Sequence, residues 1–283
     1  MKVIENIKEM QGHSKALILQ GKRIGFVPTM GALHEGHLSL VRQARKDNDI
    51  VVVSIFVNPI QFGPQEDFAR YPRDLEGDRE KLKSESVDVL FYPDMKDMYP
   101  EGYKTYVEVE GLSERLCGAF RPGHFRGVTT VVTKLFHIVK PHRVYFGSKD
   151  YQQTVIIKKM VQDLNMDIEI ITCPTVREAD GLAMSSRNLY LNSAERKAAT
   201  VIYRTLLEAE KLIREFRNPG EVRNIMLDRL KGEPLVSSID YAGLYDPETL
   251  EDIKDYSEMK EILIAIALRI GNTRLIDNML VKL

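Results

Sequence analysis

Apolar residues over positions 2–20 fall at Val3, Ile4, Ile7, Met10, Leu17 and Ile18, mostly at helical spacing, and predict a first helix. The stretch 23–28 (RIGFVP) is a short apolar run closed by proline, which suits a buried strand better than a helix. Positions 38–48 return to helical spacing, and 50–57 (IVVVSIFV) is apolar and rich in β-branched residues. Such an unbroken run fits a central strand covered on both faces, as in parallel sheets. The alternation continues with a strand at 87–92, a helix near 128–139, a strand at 143–146, a helix near 152–164 and a strand at 168–172. Strands alternating with helices imply right-handed crossovers. The expected fold is α/β, a Rossmann-like doubly wound parallel sheet with ligands beyond the carboxyl ends of its strands. After about Val176 come two long helical patterns, 193–217 and 219–231, then extended stretches at 238–245 and 262–270. The expected division is a Rossmann-like domain over 1–176 and a smaller C-terminal α+β domain over 177–283.

Composition narrows the function classes. Charged residues make up 29% of the 283 and hydrophobic ones 43%, enough apolar surface for a core. Forty Lys and Arg against 41 Asp and Glu leave a formal charge of −1, which argues against nucleic-acid and membrane partners but not against small anionic ligands. The apolar run 50–57 is far shorter than the ~20 residues of a spanning helix. The opening MKVIENIKEM is mixed in charge and lacks a secretory apolar core, so a cytoplasmic, soluble protein is expected. Cys117 and Cys173 make neither a disulfide framework nor a zinc site by themselves and are read as buried thiols. No internal repeat or low-complexity segment interrupts the chain.

Candidate chemistry concentrates at PTMGALHEGH, residues 28–37, between a predicted strand and a predicted helix. A glycine-bearing turn there lets backbone amides approach a phosphate, and a helix N-terminus adds partial positive charge. His34 and His37, three apart, project from one side of the helix start, where imidazoles can donate to phosphate oxygens as charge builds. The same residues also read as an ordinary helix start with two surface histidines; the strand–turn–helix setting favours the phosphate reading. H-E-G-H is not the H-E-x-x-H of a zinc helix, and neither a P-loop nor a G-x-G-x-x-G fingerprint is present.

Taken with MSSR at 184–187, this H-x-G-H resembles the paired motifs of the nucleotidyltransferase and class I aminoacyl-tRNA synthetase superfamily. More specifically, the chain resembles the pantothenate synthetase (pantoate–β-alanine ligase) family. The likeness runs through FVNPIQF at 56–62, YPRD at 71–74, RPGHFRGV at 121–128, GSKDYQQ at 147–153 and TVREADGLAMSSRN at 175–188. Each block alone is weak; all of them in order are highly specific. One departure is Ser148, where that family usually has Glu.

The resemblance implies an ATP-dependent condensation of pantoate with β-alanine through a pantoyl adenylate, with magnesium as cofactor, AMP and pyrophosphate released, and a homodimer as the assembly. It assigns the ATP site to Met30, Gly31, Ala32, Leu33, His34, Glu35, Gly36 and His37, then to Gly147, Ser148, Lys149 and Asp150, and to Val176, Met184, Ser185, Ser186 and Arg187. The C-terminal domain would close over that site. His37, His34 and Lys149 would stabilise charge on the phosphates, and Asp150 would meet the ribose. Gln61 and Gln153 suit pantoate, since an amide both donates and accepts without imposing charge; outside the resemblance each reads more readily as a surface glutamine. Arg121 and His124 would either screen ligand charge or form a Pro–Gly turn with a solvated arginine. Asp78 is a candidate magnesium contact through water or a solvated helix charge.

Elsewhere Tyr203, Phe216 and Met226 are read as core, and His13, His137 and His142 as structural or surface residues. Residues 208–215 read as a charged helix face. Two alternatives share parts of this pattern. Another H-x-G-H nucleotidyltransferase would keep the nucleotidyl group in its product. A synthetase-derived RNA-binding module would show a basic surface that the charge balance does not supply.

Overall fold

The computed structural model describes residues 1–283 apart from Gln65, Phe216 and Glu258, so the core reading of Phe216 lies outside the described residues. Strands are β1 (Lys2–Ile4), β2 (Ile24–Thr29), β3 (Ile50–Ile55), β4 (Val89–Phe91), β5 (Arg143–Gly147), β6 (Glu169–Cys173), β7 (Val236–Tyr245), β8 (Glu261–Ile270) and β9 (Thr273–Lys282). Helices are α1 (Ile7–Leu19), α2 (Glu35–Asp47), α3 (Leu75–Ser84), α4 (Met95–Met98), α5 (Cys117–Phe120), α6 (His124–Val139), α7 (Tyr151–Asp163), α8 (Ser193–Ala198), α9 (Val201–Arg214) and α10 (Pro219–Lys231).

The chain forms two compact units. The first comprises Met1–Ser113, Arg121–Gly147 and Gln153–Pro174; the second comprises Glu114–Phe120, Ser148–Gln152 and Thr175–Leu283. In the first, six parallel strands lie in the order β1-β4-β3-β2-β5-β6. This is the expected doubly wound sheet. Burial explains it: Val51, Val52 and Val53 of β3 are fully enclosed, so the β-branched run sits between two covered faces. Strand order reverses between β2 and β5, and in such sheets that crevice at the carboxyl ends receives the ligand.

The second unit has a three-stranded antiparallel sheet, β7-β8-β9, packed with α9 and α10. Its core holds Ile202, Leu206, Met226, Ile264 and Leu268, with Tyr203 partly buried against it. Cys117 and Cys173 are both buried free thiols.

Three sequence expectations change. The first helix begins at Ile7, because residues 2–4 pair with β4 as an edge strand and Asn6 caps the helix by accepting from the Glu9 amide. The helical pattern over 193–217 is split: α8 ends at Ala198 and α9 starts at Val201. Finally, 273–282 is a strand the hydrophobic pattern did not reveal, since Asp277 and Asn278 interrupt its apolar face. His142 proves structural, its Nδ1 accepting the Ile24 amide at 3.0 Å, and His137 is exposed. Among the described residues no helix is long and apolar enough to cross a membrane.

Candidate active site

The turn between β2 and α2 is held from beneath by α3. Gly31 and Ala32 both take positive φ, +84° and +51°, a conformation that costs Ala32 strain unless the surroundings fix it. Asp78 fixes it: the carboxylate, 1% exposed, accepts the Ala32 amide at 2.8 Å and the Leu33 amide at 2.7 Å. Lys81, one helical turn on, donates to the Leu33 carbonyl at 2.7 Å. Burial pushes the Asp78 carboxyl up, against the pull of those two amides. A solvated helix charge is therefore the wrong description of Asp78. Gly31 is also closely packed, since a Cβ there would lie 3.0 Å from Ile55 and 3.1 Å from Asp78 and would press on both side chains.

Several backbone amides of the expected phosphate cradle have partners within the protein. The Gly31 amide donates to Thr29 Oγ1, those of Ala32 and Leu33 to Asp78, that of His34 to His37 Nδ1, and that of Gly36 to His34 Nδ1. These five amides are thus engaged within the protein. The same bonds set the imidazoles: each Nδ1 accepts a backbone N–H, so each proton resides on Nε2. The two rings stand 4.1 Å apart at 39°. Both imidazoles of H-x-G-H thus carry their proton on Nε2. Glu35, assigned to the nucleotide lining, is engaged by Arg42, which also grips Glu85; Arg42 draws the Glu35 carboxyl below its ordinary range.

Gln61 follows β3 and Gln153 follows β5, the two strands that flank β2 in the sheet, and both are half-buried. A fully buried residue that the sequence reading left without a role, Asn58, orients Gln61. Asn58 Nδ2 donates to the Gly127 carbonyl and to Gln61 Oε1, each at 3.0 Å, and Asn58 Oδ1 accepts from the Tyr99 hydroxyl at 2.8 Å. A backbone carbonyl can only accept, so Gly127 fixes which end of Asn58 is the amide nitrogen. That in turn fixes Gln61 with its oxygen inward. Gln61 Nε2, left to face away, donates to Met30 Sδ at 3.0 Å. Burial pushes the Tyr99 hydroxyl well up, keeping it protonated as the donor the relay needs.

The RPGHFRGV block supports the same loop. Arg121 clamps Glu66 with two bonds of 2.6 Å, and its side chain is only 11% exposed, so it is no solvated arginine. Burial pushes the Glu66 carboxyl up, but the Arg121 hydrogen bonds and charge prevail and hold it below the ordinary range. His124 Nδ1 lies 2.8 Å from the Gln61 carbonyl and its Nε2 lies 3.0 Å from Arg121 Nη1, which assigns Nδ1–H as donor and Nε2 as acceptor. Arg121 and His124 hold the Gln61 backbone rather than screen ligand charge. Gly127 lets α6 approach it, since a Cβ would sit 2.5 Å from the Ile60 oxygen and 2.6 Å from the Gln61 Cα.

A cavity of about 720 Å³ opens at this edge of the sheet, lined by Met30, Gly31, Phe56, Arg73, Asp78 and Tyr92 among others. Much of its acidic and amide lining is committed to helix caps: Asn6 to α1, Asp74 to α3 and Asp94 to α4. Among the described residues no cluster of three or more His, Cys, Asp or Glu side chains has the geometry of a metal site.

In the second unit, Ser148, Lys149 and Asp150 form one turn of 3₁₀ helix directly after β5, whose last residue is Gly147. Ser148 Oγ lies 3.1 Å from Thr175 Oγ1, so serine at this position makes its own contact. Residues 176–184 double back: Arg177 bridges Ala183, and the Met184 amide donates to the Val176 carbonyl at 3.0 Å. Arg196 ties Glu178 and Asp180 across this arm at 2.6 and 2.7 Å. The arm delivers Met184 and Ser185, and Ser185 Oγ accepts the Arg187 amide at 3.3 Å; Ser186 is buried.

Comparison with known proteins adds a second line of support. A family model described as pantoate-beta-alanine ligase matches residues 2–280. The chain is 61% identical over 282 residues to the pantothenate synthetase of Thermodesulfovibrio yellowstonii, covering 100% of both. It is similar to a crystal structure of pantoate-beta-alanine ligase (pantothenate synthetase) from Thermus thermophilus, with a TM-score of 0.93, 46% identity and 99% of each chain covered. A pantoate-beta-alanine ligase from Francisella tularensis, solved in complex with beta-gamma ATP and beta-alanine, matches with a TM-score of 0.80 at 40% identity, over 99% of this chain and 97% of that one.

Proposed function

The chain belongs to the pantoate–β-alanine ligase family and condenses pantoate with β-alanine in an ATP-dependent reaction, and we propose that it does so through a pantoyl adenylate whose formation is governed by hydrogen-bond donors of fixed polarity. A carboxylate is a poor acyl donor because its oxygen leaves badly. Attack on the α-phosphorus of ATP turns that oxygen into part of AMP, a good leaving group, and expels pyrophosphate. The amine of β-alanine then attacks the acyl carbon and releases AMP.

The observation that carries this reading is the polarity set by Asn58 and Gly127. Gln61 offers an amide N–H₂ to an oxygen-rich acid, and its oxygen is already occupied by Asn58. Gln153, in α7 after β5 on the other side of β2 in the sheet, is read as the second amide. His37, with His34 beside it, presents Nε2–H to phosphate oxygens as negative charge moves onto the departing pyrophosphate. The second unit contributes Lys149, a cation suited to follow moving charge, Asp150 for the ribose, and the hydroxyls of Ser185 and Ser186 with the Arg187 guanidinium for phosphate oxygens.

We propose magnesium as the companion of ATP, where it would neutralise phosphate charge. The chain fits a hydrated ion carried by the phosphates rather than a protein cage, because each Asp78 oxygen is already committed to a backbone amide. Any contact from Asp78 runs through water, and its main task is to hold the β2–α2 turn. On the family likeness alone we add a cytoplasmic setting and a homodimeric assembly.

Isotope exchange tests the proposal. With enzyme, magnesium and pantoate but no β-alanine, labelled pyrophosphate should enter ATP, and omission of pantoate should abolish the exchange because no nucleophile is then held at the α-phosphorus. ADP as the product of the complete reaction would place the attack at another phosphorus and overturn the mechanism.

A further inference from the structure

Two buried polar residues stand side by side in β9, where the antiparallel sheet should be apolar. Asp277 is 2% exposed and Asn278 8%, and they pair with Ile266 and Ala265 of β8. Buried polar groups are tolerated only with partners, and these two find theirs on the two segments of the unit that carry the candidate nucleotide residues. Asn278 Nδ2 donates to the Ser148 carbonyl at 2.9 Å and to the Lys149 carbonyl at 2.7 Å, using both of its hydrogens on a single turn. Asp277 accepts Arg177 through both oxygens, at 2.5 and 3.1 Å, and also the amide of Asn278 at 2.8 Å. Arg177 starts the arm that ends at Met184; it donates on to the Gly181 carbonyl at 3.1 Å and lies over the Tyr203 ring at 4.3 Å.

We propose that Asn278 is a positioning residue for the ligase reaction: it fixes the backbone of the Ser148–Lys149 turn, and hence the Lys149 ammonium, while Asp277 locks the neighbouring strand position to the arm. The inference rests on the reading of Lys149 as a phosphate-facing cation. The turn joins the end of β5 to the start of α7, and a long lysine on it meets the tolerance that charge stabilisation requires only if the turn's backbone is held. The side chain of Asn278 fixes that backbone from a rigid strand, its two donors meeting the two adjacent carbonyls of Ser148 and Lys149.

The test is a double-mutant cycle on pantoyl adenylate formation in single turnover, with nucleotide affinity measured in parallel. Asn278→Ala should slow adenylate formation by roughly 10- to 100-fold, the scale of a reacting group displaced by about an ångström, and shift ATP affinity by less than about threefold. Against a Lys149→Ala background the same change should cost almost nothing further, because its effect passes through Lys149. Met279→Ala, the next position on β9, should lower the melting temperature yet multiply independently with Lys149→Ala. If Asn278→Ala does not fold, Asn278→Ser, which keeps one donor, enters the same cycle with a smaller loss. Equal losses from the Asn278 substitution with and without Lys149 would overturn the proposal. So would a full-rate Asn278→Ala enzyme beside a crippled Lys149→Ala enzyme, and there the Lys149 reading would survive. A full-rate Lys149→Ala enzyme would remove that reading and the positioning role with it.

Discussion

His37 has two tasks that differ in size. Its Nδ1 accepts the His34 amide in a reciprocal cap at the start of α2, and its Nε2 carries the proton proposed to meet phosphate charge. A lost N-terminal cap costs about 1 kcal/mol of stability, whereas a donor aimed at developing charge is worth on the order of 10²- to 10³-fold in rate. His37→Ala should therefore lower pyrophosphate release in single turnover by about 100-fold or more, with only a small fall in melting temperature. A rate within a few-fold of the parent would reduce His37 to a cap. Asp78 and Asn58 act at the same scale without facing the reaction. One keeps Ala32 in a left-handed conformation, and the other keeps a glutamine amide from turning over.

At the scale of elements, α6 and the loop after β3 fit only because position 127 has no side chain. The nearest atoms to a new Cβ are backbone, the Ile60 oxygen and the Gln61 Cα and N, and backbone cannot swing aside as a side-chain tip can. Gly127→Ala should cost about 1–3 kcal/mol through overpacking. It should also raise the KM for pantoate roughly tenfold, equivalent to about 1.4 kcal/mol of binding, while leaving ATP affinity near that of the parent. Unfolding curves beside pantoate and ATP titrations separate the two effects. Elements with long, uniform patterns were legible in the sequence: β3 from its β-branched run, α10 and β8 from their spacing. Short or polar-interrupted ones were not. β1 is three residues long and needs β4 to exist, and β9 hides behind Asp277 and Asn278, whose partners lie far away along the chain. The site divides the same way. Motif blocks marked Gln61, His34, His37, Lys149 and Arg121, and Asp78 was singled out as well, but the supporting roles of Asn58, Asp78 and Arg121 rest on contacts no local spacing encodes.

At the scale of the whole molecule, the candidate site residues are distributed over two compact units. The first carries the imidazoles and the glutamine relay; the second carries Lys149 and the 184–187 segment, braced by β9. The proposed mechanism turns on one chemical event, attack of the pantoate carboxylate on the α-phosphorus of ATP. That event leaves an atomic trace. Pantoate labelled with ¹⁸O in both carboxylate oxygens, turned over with ATP and β-alanine, should pass one labelled oxygen to the phosphate of AMP and keep the other in the amide carbonyl of pantothenate. Mass spectrometry of the two products reads both fates at once. Unlabelled AMP, with the heavy oxygen found in inorganic phosphate or lost to water, would contradict the account.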